Sequence, residues 1–508
     1  MSSVNDSSAE DASESETLSS NCNELHEDND NKPKPLPWSQ LSIAYLIETA
    51  ENLITTVTDP FINQFVQETG ITQGDEQRTG YFTGILLSVA PIAEATSVIL
   101  WGMASDRVGR RPILMFGPLG LALAILAFGM STQYWLLVIF QFSVGVFSGN
   151  IALSKTVIGE ITDSTNIADA YALLPVAWTV GQIIGPFIGG FLAQSTLRWP
   201  DTFGKFEYLR KHPYFLPCFA ASLVAFLAFV VAAVALKETL PSAISQQTYN
   251  NIPEVPASPT LPCNDDVPSY DFTESGARDS SLEHGHMLMK NEELEPQTVR
   301  SLLKLPEIRI ILINFGFLGF CGASAWALDG LMWSMSIKSG GLGWSPYTIG
   351  MTMTVRGVAT AVLQAATVAK FIRHFGARKV HIVCFSGLVV SFLSFPIASF
   401  FAQHAGGSDW RVWIIVVVSL TTQSMRLGSY ASLQIILTGT APNQTSLGTT
   451  IGLGQAVSAI MRCLGPFFAS SLHSISLQYR LAGGNAVYYI MAAIVASGIP
   501  FSLMLPKH

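Results

Sequence analysis

Gly102-Met103-Ala104-Ser105-Asp106-Arg107-Val108-Gly109-Arg110-Arg111 separates two apolar stretches, residues 81–101 before it and 112–130 after it. Each stretch is long enough to cross a bilayer core as a helix, which takes about 20 apolar residues. One carboxylate and three guanidiniums between two such segments predict a short turn on the cytosolic side, because Lys and Arg concentrate in cytosolic loops.

Composition extends this reading to the whole chain. Of 508 residues, 49% are hydrophobic and 13% are charged, with a mean hydropathy of +0.38; a soluble protein carries about 25% charged residues. Charge is also segregated. Residues 1–37 carry −7 and residues 241–300 carry −7 of a formal total of −8, which leaves +6 on the remainder. The acidic balance therefore belongs to two polar segments, rich in Ser, Asn and Pro, that cannot bury enough apolar surface to offset ordering entropy and are expected to be disordered. Of the six cysteines, Cys218, Cys321, Cys384 and Cys463 lie in apolar segments and Cys22 and Cys263 in the acidic ones. No metal-binding spacing occurs, so neither a metal nor a cofactor is expected. The N-terminus has no basic region followed by an apolar core, so no cleavable signal is expected.

Reading onward for membrane-length runs predicts spans at 39–60, 80–103, 112–131, 134–158, 170–193, 214–236, 307–333, 346–371, 379–402, 411–436, 447–472 and 485–505. The first, seventh, tenth and eleventh are weak by hydropathy, as expected of helices that line a cavity. The fold class is an all-α integral membrane protein of twelve transmembrane helices in two six-helix pseudo-repeats. Its units are an acidic tail at 1–37, a first bundle at 38–240, an acidic cytosolic loop at 241–300 and a second bundle at 301–508. An even span count puts both termini on the cytosolic side, together with the basic turn around Gly109 and its echo around Gly376. Gly181-Gln182-Ile183-Ile184-Gly185-Pro186-Phe187-Ile188-Gly189-Gly190 in the fifth span is likewise echoed by Gly465-Pro466 in the eleventh, as two parallel repeats would produce.

Charged residues inside spans are costly and must face one another or a water-filled cavity. Glu48 and Glu51 are three apart, hence on one helical face. Glu94 precedes Asp106 by about 18 Å of helix at ~1.5 Å per residue, near mid-membrane. Asp329, Arg356, Arg426 and Arg462 occupy the second half. Acids in one half and arginines in the other predict a polarised cavity for protons or substrate, although structural ion pairing would account for the same residues. A carboxylate drawn out of water can load and release a proton in the physiological range. In the opening turn, Arg110 has an available partner in Glu160 at the end of the fourth span. The small residues Gly181, Gly185, Gly189 and Gly190 permit close helix approach, and Pro186 bends the helix that carries them.

These motifs carry a resemblance. Gly102, Asp106, Arg107, Gly109, Arg110 and Arg111 match the loop between helices 2 and 3 of major facilitator superfamily transporters. The run from Gly181 to Gly190 is similar to the fifth-span motif of antiporters in that superfamily. With Trp101, Gly149-Asn150, Glu160, Trp178 and the segment from His212 to Cys218, the chain most resembles the zinc-induced-facilitator-like branch of the drug:proton antiporters, fungal type. The resemblance implies a gate in which Asp106 faces the start of the eleventh span at Thr445 and Ser446. It further implies a proton-coupled exporter of small organic compounds working by alternating access in the plasma or vacuolar membrane. Partners are then a small-molecule substrate, protons and the bilayer, with the protein a monomer. The span-four arginine of many drug:proton antiporters is absent from Ile139-Phe140-Gln141-Phe142, with Lys155 further along. The first-span cysteine motif of plant relatives is missing and their histidine-rich loop is reduced to His284 and His286, which argues against zinc as cargo.

No Walker loop, nucleophile elbow or HExxH motif occurs, so neither ATP drive nor hydrolysis is expected, and the chain is not read as an enzyme. No basic stripe with interleaved aromatics suggests nucleic acid. Two other readings stay open: a nutrient or metal-chelate facilitator without proton coupling, of whose sugar-porter signature Lys237-Glu238-Thr239 is a fragment, and a transporter-like sensor that moves nothing.

Overall fold

The computed structural model describes residues 35–163, 165–239, 299–440, 442 and 444–506. The two acidic segments fall outside them except for 35–37 and 299–300; the latter pair opens the one-turn helix Val299–Leu302. No strand occurs among the described residues. The first six long helices are α1 (Trp38–Val57), α2 (Thr79–Val108), α3 (Arg110–Met130), α4 (Tyr134–Ser148 and Ile151–Ile161), α5 (Ile167–Leu192) and α6 (Phe215–Ala235). The second six are α7 (Pro306–Ser334), α8 (Pro346–Leu363, continuing to Phe375), α9 (Ala377–Ala405), α10 (Trp410–Ser424 and Arg426–Thr440), α11 (Gln444–Gln478) and α12 (Ala486–Leu503). Among the described residues, eleven helices are long and apolar enough to span a membrane. The remaining one, α1, has the length, 20 residues, but is diluted by Glu48, Glu51 and Asn52. The seventh helix corrects an expectation: with a hydropathy of 1.7 and most of its apolar window buried, it is a core element, not a weak span.

The ends follow local chemistry. Proline occupies the first turn of α7 and α8, where its missing N–H costs nothing, and the Ser345 hydroxyl caps α8 by accepting from the Thr348 amide at 3.3 Å. The basic segment between α2 and α3 is not a loop. Helix α2 runs on through Asp106 and Arg107 to Val108, α3 starts at Arg110, and Gly109 alone makes the turn with φ 110° and ψ 157°. Only glycine adopts that backbone without strain. Gly376 makes the matching turn before α9, with φ 83° and ψ 149°.

Each half packs its own core. Phe61, Phe65, Phe128 and Tyr214 anchor the first; Phe315, Phe385, Phe392 and Met491 anchor the second. The break in α4 at Gly149-Asn150 is pinned from two sides: Asn150 Nδ2 donates to the Ile113 carbonyl at 3.0 Å and Trp101 Nε1 to the Val146 carbonyl at 2.6 Å. The halves meet along α2 against α11 and α5 against α8. The contacts that join them cluster on the side away from Gly109 and Gly376. There Gln64 donates to the Trp344 carbonyl at 3.2 Å, Ser336 and Ser339 donate to Glu76 at 2.6 and 3.1 Å, and Tyr81 donates to Gln478 at 3.2 Å. The Arg198 guanidinium lies 3.4 Å from the Tyr347 ring centre in the same layer. The cleft between the halves is thus shut on that side and opens toward the face that carries the two glycine turns, here the basic face.

Candidate substrate cavity and gate

At the basic face Arg110 is the hub. Its Nη1 donates to Asp106 Oδ1 at 2.6 Å and to the Ser105 hydroxyl at 2.6 Å, and its Nε donates to Glu160 Oε1 at 3.1 Å. Thr239 donates to the other Glu160 oxygen at 2.5 Å. Glu238 accepts from the backbone amides of Arg110 and Arg111 at 2.8 and 3.1 Å, placing a negative charge at the positive end of α3. Arg111 Nη2 donates to the Ala233 carbonyl in the last turn of α6 at 2.7 Å. Asp106 therefore lies on Arg110 rather than on α11, and its side chain is 65% exposed. The side chains of Thr445 and Ser446, its expected partners, lie outside the described ones. Arg107 is exposed, and Gly102 has open space where a side chain would be.

The glycines of α5 face two ways. A Cβ on Gly181, Gly185 or Gly189 would come within 2.6, 2.1 and 2.0 Å of atoms in α1, so these three hold α5 against its own bundle. Gly190 instead abuts Gly350 of α8, across the cleft, and Pro186 is buried beside it.

The cavity walls divide by charge. On the first half, Glu48 is buried and accepts from Ser154 at 3.3 Å. Glu51 lies within electrostatic reach of Glu48, Glu94 and Lys155. Glu94 lies within electrostatic reach of Arg462 on α11, in the other half, and of Lys155 on its own side. On the second half, Arg356 Nη1 donates to Asp329 Oδ2 at 3.2 Å, and Gln423 donates to the other Asp329 oxygen at 3.1 Å. The Arg356 guanidinium also stacks 4.5 Å from the Trp326 ring centre. Asp59, just past the end of α1, is buried and faces Trp326 and Arg356 from the opposite half. A cavity of ≈710 Å³, open to solvent, runs between α5 and the helices α7, α8 and α10, lined by Trp178, Gln182, Trp326, Arg356, Gln364 and Arg426 among others. The structure thus brings Glu48, Glu51, Glu94 and Arg462 into one group and Asp329, Arg356 and Arg426 into another. Asp59 and Gln423 join the second group, and Glu238 the Arg110 hub, without having been expected from the sequence.

The sequence profile of the Major Facilitator Superfamily matches residues 44–466. The chain belongs to this superfamily. It is a multi-pass membrane transporter, not an enzyme, and the fold expected from the sequence is the one observed. Among relatives of this facilitator, a major facilitator-type transporter, psiT2, of Psilocybe cyanescens is 29% identical over 94% of this chain and 91% of its own length. The Zinc Induced Facilitator 1 protein of Arabidopsis thaliana is 25% identical over 91% of this chain and 90% of its own, in keeping with the branch that the motifs suggested. Among solved structures, a D-xylose–proton symporter superposes with a TM-score of 0.64 at 14% identity, covering 93% of this chain and 99% of that one; this likeness concerns fold alone.

Proposed function

We propose that this facilitator exports small organic compounds in exchange for protons, by alternating access about the central cleft. The basic face is cytosolic in this reading, both termini lie on that side, and the protein works as a monomer in the plasma or vacuolar membrane. The observation that carries the proposal is that Glu94 lies within electrostatic reach of Arg462 in the other half, backed by Glu51, Glu48 and Lys155. A carboxylate on one half and a guanidinium on the other attract when the carboxylate is ionised and release when it is protonated, so the proton state biases which way the cleft is closed. The Arg110 hub and the α5 glycines supply the moving parts: the first couples the ends of α2, α3, α4 and α6, and the second lets α5 slide close to α1 and α8.

The test is Glu94→Gln reconstituted in proteoliposomes. The amide keeps the size of the protonated acid but cannot exchange a proton, so pH-driven accumulation disappears while downhill substrate flux persists. Unchanged pH-driven accumulation in a well-expressed Glu94→Gln protein refutes Glu94 as the proton carrier. Loss of both activities together assigns the residue to structural ion pairing instead.

A further inference from the structure

The two arginines in the second half of the cavity are partnered unequally. Arg356 is paired with Asp329 and also has the buried Asp59 within reach. Arg426 makes no hydrogen bond or ion pair with any described residue, and the charges within its reach are Arg356, Arg462 and Asp329. Its guanidinium crosses the face of α7 at Gly322, where a Cβ would meet Arg426 Cδ at 2.7 Å and Nη1 at 2.8 Å, so a larger residue there would push the arginine aside. Among the described residues lining that cavity, two are arginines and none is Asp or Glu, while Trp178 and Trp326 supply flat aromatic surface and Gln182, Gln364 and Gln423 neutral hydrogen-bonding groups. An unpaired guanidinium inside a membrane protein is costly, and a planar fork of N–H donors is the side chain best matched to a carboxylate or phosphate.

We propose that the substrate carries an anionic group of carboxylate or phosphate type, which Arg426 binds beside Arg356, and a flat apolar body that rests on Trp178 and Trp326. The inference depends on this cleft being the transport site. It is independent of proton coupling, since the anion cradle contains none of the residues Glu48, Glu51 and Glu94. A cation elsewhere on the same molecule is compatible with it; a substrate with no negative group is not.

The test compares three probes that share one ring system and differ in charge, indole-3-acetate, indole-3-acetamide and tryptamine, by titration calorimetry on the purified full-length protein in lipid nanodiscs. The carboxylate binds at least ten-fold tighter than the amide or the amine. Arg426→Gln removes that preference, and Arg426→Lys, which keeps the charge but not the fork, retains part of it. Equal or tighter binding of the amide or amine to the unmodified protein overturns the proposal, as does the absence of binding by all three, or a preference that survives in Arg426→Gln. The unmodified protein alone decides the matter if the variants fail to fold. Because no proton gradient is applied, a negative result here leaves the Glu94 experiment standing, and failure of that experiment leaves this one standing.

Discussion

The turns at Gly109 and Gly376 are two copies of one device that have been wired differently. Both glycines hold the same extended, positive-φ backbone. Two residues on, Arg111 and Arg378 each donate to a carbonyl in the last turn of the sixth helix of their own bundle, Ala233 and Leu503. There the likeness stops. Counting from the glycine, Asp106 and Arg110 in the first copy correspond to Arg373 and Ala377 in the second. Among the described residues, only the first copy builds a chain from Asp106 through Arg110 to Glu160, and only it has a carboxylate, Glu238, on its helix amides. The shared arginine holds a bundle together. The added acids make the first turn sensitive to what happens around it.

Substitutions at matched positions sharpen or break this distinction. Gly109→Ala is expected to have the largest effect. It forces alanine into a backbone region that costs about 1–3 kcal/mol and sets a Cβ 2.8 Å from the Glu238 carboxylate. Transport falls at least ten-fold at matched expression, whereas Gly376→Ala, with the same backbone penalty and no Glu238 beside it, falls less. Equal losses in the two variants would mean that Glu238 contributes nothing.

Asp106→Asn comes next. The amide removes the charge from an exposed i,i+4 pair with Arg110, worth about 0.3–0.5 kcal/mol, so the balance between inward- and outward-open states shifts about two-fold and turnover drops with it. Cysteine accessibility on the two sides of the cleft reads the shift. Arg373→Gln, the corresponding change in the second copy, moves the balance less; a larger shift there would reverse the assignment of the switch.

The smallest effect is expected where the copies agree. Arg111→Ala and Arg378→Ala each remove one charge-assisted bond to a helix end, worth about 1.5–3 kcal/mol at most and less where water replaces it. Both lower the thermal unfolding temperature by a similar amount and leave the ratio of the two open states unchanged. A shift in that ratio for one of them alone would show that the arginine belongs to the switch.

The sequence made the membrane helices legible because each is a long apolar run whose signal needs no partner. It also marked Gly109 and Gly376, since a glycine amid basic residues at matched places in two halves is itself a pattern. It misjudged what surrounds Gly109: charged residues read as loop, yet nothing before the glycine breaks the helix, so α2 continues through them. Glu238 was out of reach because it meets Arg110 from 128 residues away, and nothing in Lys237-Glu238-Thr239 points to that partner. Asp59 precedes Pro60 in the turn after α1; only the approach of the following segment, Ile62–Glu68, to α7 brings it toward Trp326 and Arg356. The ionisable residues inside spans were readable one by one from their cost in lipid. Their grouping into a carboxylate wall and an arginine wall depends on which helix faces which.

The contact of Gly190 with Gly350 brings two backbones together with no side chain between them, and it lies far from the mouth of the cleft. From Gly190 back to the start of α5 at Ile167 is about 34 Å of helix at ~1.5 Å per residue. If the halves rock as rigid bodies, this contact is a fulcrum placed near one end of a long lever. A rotation of about 10° there moves the far end of α5 by roughly 6 Å at that length, enough to change the width of the opening by more than a helix radius. The smallest residues in the chain thus sit where the least movement is needed, and the displacement appears where a solute has to pass.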